Sequence, residues 1–319
     1  MTVSKEFIIM DISVVIVNWN TRDLLLACIR SVYETVQEIP FEIWVVDNGS
    51  TDGSQEAVKT AFPLVRLIEN TQNRGFAVAN NQALKQMTGR SALLLNSDAA
   101  LTDGAAQKLL AFMESAPTAG MACGQLLNPD GSRQKSIANF PTLLTLISNE
   151  TILRIFFTEK FPSKRRNYLH PIPVESGIGA CLMIRKAAMD TVGIFDETYF
   201  FFFEETDWAY RMRLANWRIY FVPSARIIHA QGKSAGNSVA SRILFYRSRY
   251  IYLKKWRQKN YSLMVVIIFI RLLVNAVLSL LGVGLTLGLA PRLLDKTIIY
   301  FQLIAWHLKK CPDKLSRML

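Results

Sequence analysis

Cysteine and histidine are scarce in this sequence, and neither is grouped. The 319 residues include four widely separated cysteines, without a C-x-x-C pair, and three histidines. Disulfide scaffolds and zinc knuckles need regularly spaced cysteines, so the sequence argues against both and favours a reducing compartment. The first eleven residues lack the apolar run of a secretory signal, and we therefore expect the folded part to stay in the cytoplasm.

Acidic residues are nearly absent from the C-terminal third. Residues 208–319 carry 19 Lys and Arg but two acids, Asp295 and Asp313, whereas residues 1–207 carry 18 basic and 23 acidic side chains. The net charge of +12 suggests nucleic acid or an anionic membrane surface as a partner. The uneven division of this charge predicts a mildly acidic, soluble N-terminal part and a basic C-terminal part that contacts phosphate headgroups.

The basic C-terminal part also contains long apolar stretches. Residues 242–259 hold seven basic side chains and no acid, interleaved with aromatic residues, and residues 272–290 are 19 uncharged residues, enough to cross a bilayer. Because the chain beyond residue 290 is basic again, we expect a hairpin or in-plane segment around Gly282, Gly284 and Gly288, with both basic flanks cytoplasmic. A single crossing is the alternative. Binding of nucleic acid is disfavoured because the basic stretch adjoins the apolar one.

The first 125 residues alternate between strand and helix patterns. Helical spacing separates short apolar runs, typical of strands buried on both faces, at residues 12–17, 42–46, 65–68 and 91–95. The alternation predicts βαβ units and a mostly parallel sheet.

Polar clusters follow three of these runs: Asn18-Trp19-Asn20, the loop that starts at Asp47, and Asn96-Ser97-Asp98. Ligands of such sheets bind outside the carboxyl ends of the strands, so the three clusters together predict one binding site.

The pattern loosens after residue 126. Asn128–Gly131 predicts a hairpin tip, and residues 140–172, with the basic trio Lys164, Arg165 and Arg166, predict a mobile or surface-docking insertion. We expect a glycine-rich strand over 175–185 and another strand over 218–222. Between them, a helix from Glu204 to about Asn216 begins with acids in its favourable first turn.

Eight motifs in order make a specific pattern where no single one would: VVIVNWN, VVDNGSTDGS, NRGFAVANN, LLLNSD, GACLMIR, FDE, FFFEETDWAYR and HAQGKS. Between residues 12 and 234 the chain resembles family 2 glycosyltransferases of the rhamnosyltransferase-like branch. The resemblance implies an α/β fold of the GT-A type with a mostly parallel central sheet, followed by a C-terminal hydrophobic helical region. It suggests a nucleotide-sugar-binding half over 1–125, an acceptor-binding and catalytic half over 126–240, and basic, membrane-associating helices over 241–319.

The resemblance also implies a nucleotide site. Asp47 would accept the imide N–H of uracil or thymine, while Gly49 lets the backbone approach the nucleotide. Four more residues would line the pocket or reach the diphosphate: Asn18, Asn20, Asn48 and Arg74.

A metal site is implied as well. Asn96-Ser97-Asp98 stands at the D-x-D position, so Asp98 would bind a divalent cation and Asn96, where the family usually has Asp, would contact the ribose. His229 matches the family's late metal-binding histidine. Mn²⁺ or Mg²⁺ would neutralise the charge of the departing diphosphate.

The acids at the start of the helix predicted from Glu204 are the candidates for the base that an inverting transfer needs. Glu205 matches the family's catalytic position, where Asp is usual, and Glu204 and Asp207 are the alternatives. Acids at a helix start also serve capping, but three of them behind five aromatic residues exceed that need.

The expected activity is transfer of a sugar, rhamnose by the branch name, from a dTDP- or UDP-sugar to a glycan or lipid-linked saccharide at the cytoplasmic face of the plasma membrane. A nucleotidyltransferase is disfavoured because no G-x-G-x-R loop follows the first strand. A catalytically silent membrane-bound scaffold with the same fold is the remaining alternative.

Overall fold

The computed structural model describes residues 10–148, 150–157, 161–163, 166–230, 238–309 and 311. Several predicted features therefore lie outside the described residues: most of the N-terminal segment, Lys164 and Arg165 of the basic trio, the QGKS end of the last motif, and the tail from residue 312.

The described chain divides into two compact units. The first is formed by the described residues within 1–140, 157–200 and 204–234, and the second by those within 141–156, 201–203 and 235–319. The first unit contains the sheets and the second is helical.

The elements in chain order are β1 Ile12–Asn18, α1 Arg22–Thr35, β2 Phe41–Asp47, α2 Ser54–Ala61, β3 Arg66–Glu69, α3 Phe76–Leu84, β4 Ser91–Asn96, β5 Ala99–Leu101, α4 Ala105–Ser115, β6 Ala119–Leu127, β7 Ile137–Ala138, α5 Leu143–Ile147, α6 Glu150–Phe156, β8 Ile172–Val174, β9 Ser176–Gly177, β10 Cys181–Arg185, α7 Lys186–Val192, α8 Glu204–Leu214, β11 Arg218–His229, α9 Val239–Trp256, α10 Tyr261–Leu285 and α11 Pro291–Leu308. A short 3₁₀ turn, Gln258–Asn260, joins α9 to α10.

The central sheet of the first unit has nine strands in the order β3-β2-β1-β4-β10-β6-β11-β5, with β8 paired to β11. Strands β3, β2, β1, β4, β6 and β11 run in one direction, and β10, β5 and β8 oppose them. The predicted α/β fold with a mostly parallel sheet is confirmed, and the structure adds the three opposing strands. Both faces of β1, β2 and β4 are buried, which explains why their sequences read as continuous apolar runs.

Two predicted strands differ from those observed. The glycine-rich stretch 175–185 forms two strands, because β9 pairs with β7 in a separate small sheet while β10 lies between β4 and β6. The strand predicted over 218–222 continues to His229 through an irregularity between Val222 and Arg226. Pro223, which has no N–H to donate, lies in that irregularity, so the sequence pattern suggested an early end.

Helices α10 and α11 form a hairpin in the second unit. α10 runs unbroken through Gly282 and Gly284, and the chain reverses beyond it, where Leu287 and Gly288 have φ of +48° and +77°. Ser279 Oγ and Thr297 Oγ1, both buried, are hydrogen-bonded at 2.5 Å between the two helices. The segment 258–285 is long and apolar enough to cross a membrane.

The aromatic residues before α8 pack within the second unit. The Phe203 ring lies 5.3 Å from Phe245 and 5.8 Å from Tyr252, and Ser248 Oγ donates to Phe201 O. Phe202 and Phe203 have φ of +68° and +69°, a left-handed conformation that costs a bulky residue about 1–3 kcal/mol. Packing therefore holds a strained backbone directly before the acids of α8.

The loop after β2 passes against the loop after β3. Gly49 has φ of +81°, and a Cβ there would lie 2.7 Å from the Cα of Gln72. Gly49 therefore makes room for protein backbone. Gly53, in the same loop and with φ of +80°, has only the Arg22 side chain near it, at 3.9 Å.

We expect Gly49→Ala to destabilise the protein more than Gly53→Ala. Both changes impose the left-handed cost of about 1–2 kcal/mol, and Gly49→Ala adds an overlap of about 1–3 kcal/mol. Unfolding midpoints of the two variants in the same detergent measure the difference. Equal midpoints would contradict the close approach of the two loops.

Candidate functional site

The three polar clusters lie at one edge of the sheet. Parallel pairing sets Asn18 opposite Asp47 and Val17 opposite Asn96. The side chains that end β1, β2 and β4 are therefore neighbours, as the sequence predicted.

Asp47 is fully buried and both of its carboxylate oxygens are occupied. Oδ2 accepts from Asn18 Nδ2 at 2.9 Å, while Oδ1 accepts from the backbone N–H of Ser50 at 2.9 Å and from Gln55 Nε2 at 2.7 Å. Of these three donors, Gln55 was not anticipated, because a glutamine one residue into a helix carries no motif. A base N–H could compete for Asp47 most readily where Gln55 now donates, since Ser50 donates from backbone and Asn18 from within the strand.

Two asparagines shape the loops of this edge. Asn48 Oδ1 accepts from Asn70 Nδ2 at 3.1 Å and from the backbone N–H of Arg74 at 3.0 Å, and its Nδ2 donates to Asn73 Oδ1 at 2.9 Å. Asn20, with φ of +53°, accepts from the Thr51 N–H at 2.8 Å. Asn48 thus anchors the exposed Arg74 beside the edge.

Asn96 and Asp98 present unsatisfied oxygens. Asn96 Oδ1 and Asp98 Oδ1 are buried and accept no hydrogen bond from the described residues. Ser97 between them is held by the Thr21 hydroxyl at 2.8 Å. Buried acceptors without donors are unfavourable, so this pair is suited to a ligand or cation.

His229, the last residue of β11, lies beside Asp98 because β11 pairs with β5 and sets His229 opposite Ala99. Its Nε2 lies 3.3 Å from Asp98 Oδ1, and the backbone N–H of Ala230 donates to Asp98 O at 2.9 Å. Neighbouring ligands of an octahedral cation with bonds of about 2.1 Å lie roughly 3 Å apart, so the pair fits one Mn²⁺ or Mg²⁺. No third His, Cys, Asp or Glu of the described residues joins them, so a cation held here would need water or ligand oxygens to complete its coordination.

Another residue that sequence analysis passed over, Gln134, lies beside His229. It belongs to the segment between β6 and β7 and is hydrogen-bonded to the His229 ring at 2.9 Å. No signal in the sequence distinguishes it, because 95 residues separate the two.

The three acids of α8 have different surroundings. Asp207 is fully buried and paired with Arg211 at 2.8 Å, and Arg211 also donates to Val192 O and Ile194 O, so this acid holds α8 to the preceding chain. Glu204 is buried with Oε2 unsatisfied among the described residues. Glu205 is half-buried, and its nearest side-chain bond is from the Thr206 hydroxyl at 3.3 Å.

Burial raises the pKa of both Glu204 and Glu205, by different amounts. Desolvation and the neighbouring Glu205 carboxylate raise the pKa of Glu204 well above its usual range. Desolvation also raises the pKa of Glu205, though less. Both carboxyls are therefore harder to ionise than an ordinary glutamate, and Glu204 more so than Glu205.

Comparison with known proteins gives both the family and the fold. The family model described as "Glycosyl transferase family 2" matches residues 13–193. The chain is 32% identical over 232 residues to the N-acetylglucosaminyl-diphospho-decaprenol L-rhamnosyltransferase of Mycobacterium tuberculosis, which covers 68% of this chain and 75% of the relative.

Two solved structures share the fold at lower identity. The mannosyltransferase PcManGT from Pyrobaculum calidifontis, in complex with GDP-Man and Mn²⁺, superposes with a TM-score of 0.59 at 20% identity over 95% of this chain and 87% of its own. GalNAc-T7 with UDP, GalNAc and Mn²⁺ gives 0.58 at 18% identity over 80% of this chain and 50% of its own. The sheet is thus of the GT-A type, and the chain belongs to glycosyl transferase family 2.

Proposed function

We propose that this glycosyltransferase inverts the anomeric centre of its donor and transfers L-rhamnose from a nucleoside diphosphate to a saccharide carried on a lipid diphosphate. The observation that carries the transfer chemistry is the buried Asp98 Oδ1, unsatisfied among the described residues, facing His229 Nε2 at 3.3 Å. The sugar and the acceptor are proposed by analogy with the mycobacterial relative, the N-acetylglucosaminyl-diphospho-decaprenol L-rhamnosyltransferase.

Each side chain has a role in this proposal. Asp98 and His229 hold the divalent cation, which when bound neutralises the negative charge that develops on the departing diphosphate. Asn96 Oδ1 accepts from a donor-sugar or ribose hydroxyl. Asp47 accepts the imide N–H of the base after Gln55 moves aside.

Glu205 is the proposed base. Its carboxylate takes the proton of the acceptor hydroxyl, whose oxygen attacks the anomeric carbon as the bond to the diphosphate breaks on the opposite face. Desolvation raises its pKa, and a base whose pKa lies nearer the working pH drives this proton transfer better.

We further propose that the helical hairpin attaches the enzyme to the membrane from the cytoplasmic side. Apolar side chains such as Val274, Leu278 and Leu281 are 51%, 62% and 59% exposed on α10. Water disfavours such a continuous apolar face, whereas lipid accommodates it. Basic residues flank both ends of the hairpin, so both ends on the cytoplasmic side satisfy the charge bias.

Glu205→Gln is expected to lower kcat by about 10²–10⁴-fold with little change in the affinity for the donor, since only proton removal is lost. The acid limb of the rate–pH profile of the unchanged enzyme should lie above the ordinary glutamate value of 4.5, because only the ionised carboxylate is active and its pKa is raised. Glu204→Gln is the matched control and should keep that limb. If Glu204→Gln abolished the limb and Glu205→Gln retained activity, Glu204 would be the base.

Asp98→Asn is expected to remove both Mn²⁺ binding and transfer. Titration of the purified protein with Mn²⁺, followed by the electron paramagnetic resonance of free Mn²⁺, measures binding without activity. Asp103→Asn, a change at an exposed acid five residues further along the chain, is the control.

A screen of UDP-, dTDP- and GDP-sugars for Mn²⁺-dependent binding identifies the donor, and preference for any sugar over dTDP-L-rhamnose would correct the proposal.

Topology can be read from a C-terminal tag. In sealed vesicles with the cytoplasmic face outward, protease should remove both this tag and one at the N-terminus. Protection of the C-terminal tag alone, with its digestion in vesicles of the opposite orientation, would instead show a single crossing.

A further inference from the structure

Gln134 is placed to control the metal-facing histidine. Its side chain is buried, and its backbone N–H donates to Leu126 O at 2.8 Å, which fixes the residue against β6. From there the side chain reaches His229 at two points, the backbone carbonyl and the ring.

The orientation of the Gln134 amide follows from its partners. Nε2 lies 2.6 Å from His229 O and 2.7 Å from Asn128 Oδ1. A backbone carbonyl only accepts, so this end of the amide must be the NH₂ group. Oε1 therefore faces the His229 ring, 2.9 Å from Nδ1.

The amide in turn decides the tautomer of His229. An amide oxygen only accepts, so Nδ1 carries the proton and donates it to Gln134 Oε1. In the neutral ring Nε2 then carries a lone pair, and Nε2 lies 3.3 Å from Asp98 Oδ1. Two buried acceptors at this distance repel each other, and a cation bound by both would remove the repulsion because both would then act as its ligands.

We infer that Gln134 is a positioning residue that holds His229 as the Nδ1–H tautomer, with Nε2 ready for a divalent cation. The inference rests on the metal role proposed above for Asp98 and His229. Partners of this kind behind a ligating histidine typically change metal affinity by about 10–100-fold when they are lost.

Gln134→Met tests this with little change in volume. It removes both contacts with His229, and we expect Mn²⁺ to bind about 10–100-fold more weakly to the full-length protein. Gln125→Met is the matched control. Gln125 is buried in the same region and donates to Leu126 O at 2.8 Å and to Gln134 O at 3.0 Å. None of its described hydrogen bonds reaches His229. Mn²⁺ binding should be unchanged in this variant, whereas general damage to the packing of β6 and the segment that follows it would weaken binding in both variants.

A second measurement needs no metal. Long-range ¹H–¹⁵N spectra of the imidazoles at about pH 8 distinguish the two tautomers, and a His229→Ala spectrum assigns the signal among three histidines. The Nδ1–H form is expected in the unchanged protein and in Gln125→Met, and a mixture with the Nε2–H form in Gln134→Met.

The outcomes separate the two proposals. An Nδ1–H signal and an Mn²⁺ affinity that both survive Gln134→Met would overturn the positioning role. If His229→Ala bound Mn²⁺ as well as the unchanged protein did, the metal role of His229 would fail, and so would the purpose inferred for Gln134. The spectra would then still show whether Gln134 sets the tautomer.

Discussion

The parallel register of β1 with its two neighbours is the constraint on which the site depends. It sets Asn18 beside Asp47 and the end of β4 beside the end of β1. Since the chain must leave a parallel strand through a loop at its carboxyl end, three loops converge there, each beginning with a polar residue. A slip of one residue would turn each of these side chains to the opposite face of the sheet.

Buried polar groups at this edge divide into satisfied and unsatisfied ones. Asp47 and Asn48 are hydrogen-bonded to neighbouring loops, and such fully paired networks make the edge rigid. Asn96 Oδ1 and Asp98 Oδ1 have no donor among the described residues. Unpaired buried atoms lower stability, so two of them only two residues apart at the end of β4 are consistent with a ligand-binding site.

The acids of α8 show how position within one helix turn assigns different work to similar side chains. Asp207 faces Arg211 one turn later and stabilises the helix, whereas Glu204 and Glu205 have no such cation among the described residues and are desolvated. The hairpin of the second unit follows a different rule, because its exposed face is apolar and its flanks are basic. Lipid and phosphate headgroups satisfy both properties together.

The alternating α/β order, the strand-end clusters, the acidic start of α8 and the apolar C-terminal segment could all be predicted from the sequence, because each depends on neighbours close in the chain. The roles of individual residues depended on distant partners. The Gly49 backbone lies against the backbone of Gln72, and Gln55 donates a hydrogen bond to Asp47. Gln134 contacts His229 only because β11 continues beyond its irregularity to the end of the sheet. Hydrogen bonds and close backbone approaches between residues far apart in the chain leave no periodicity in a sequence. Only the folded chain therefore shows which of these polar atoms are already paired and which have no partner among the described residues.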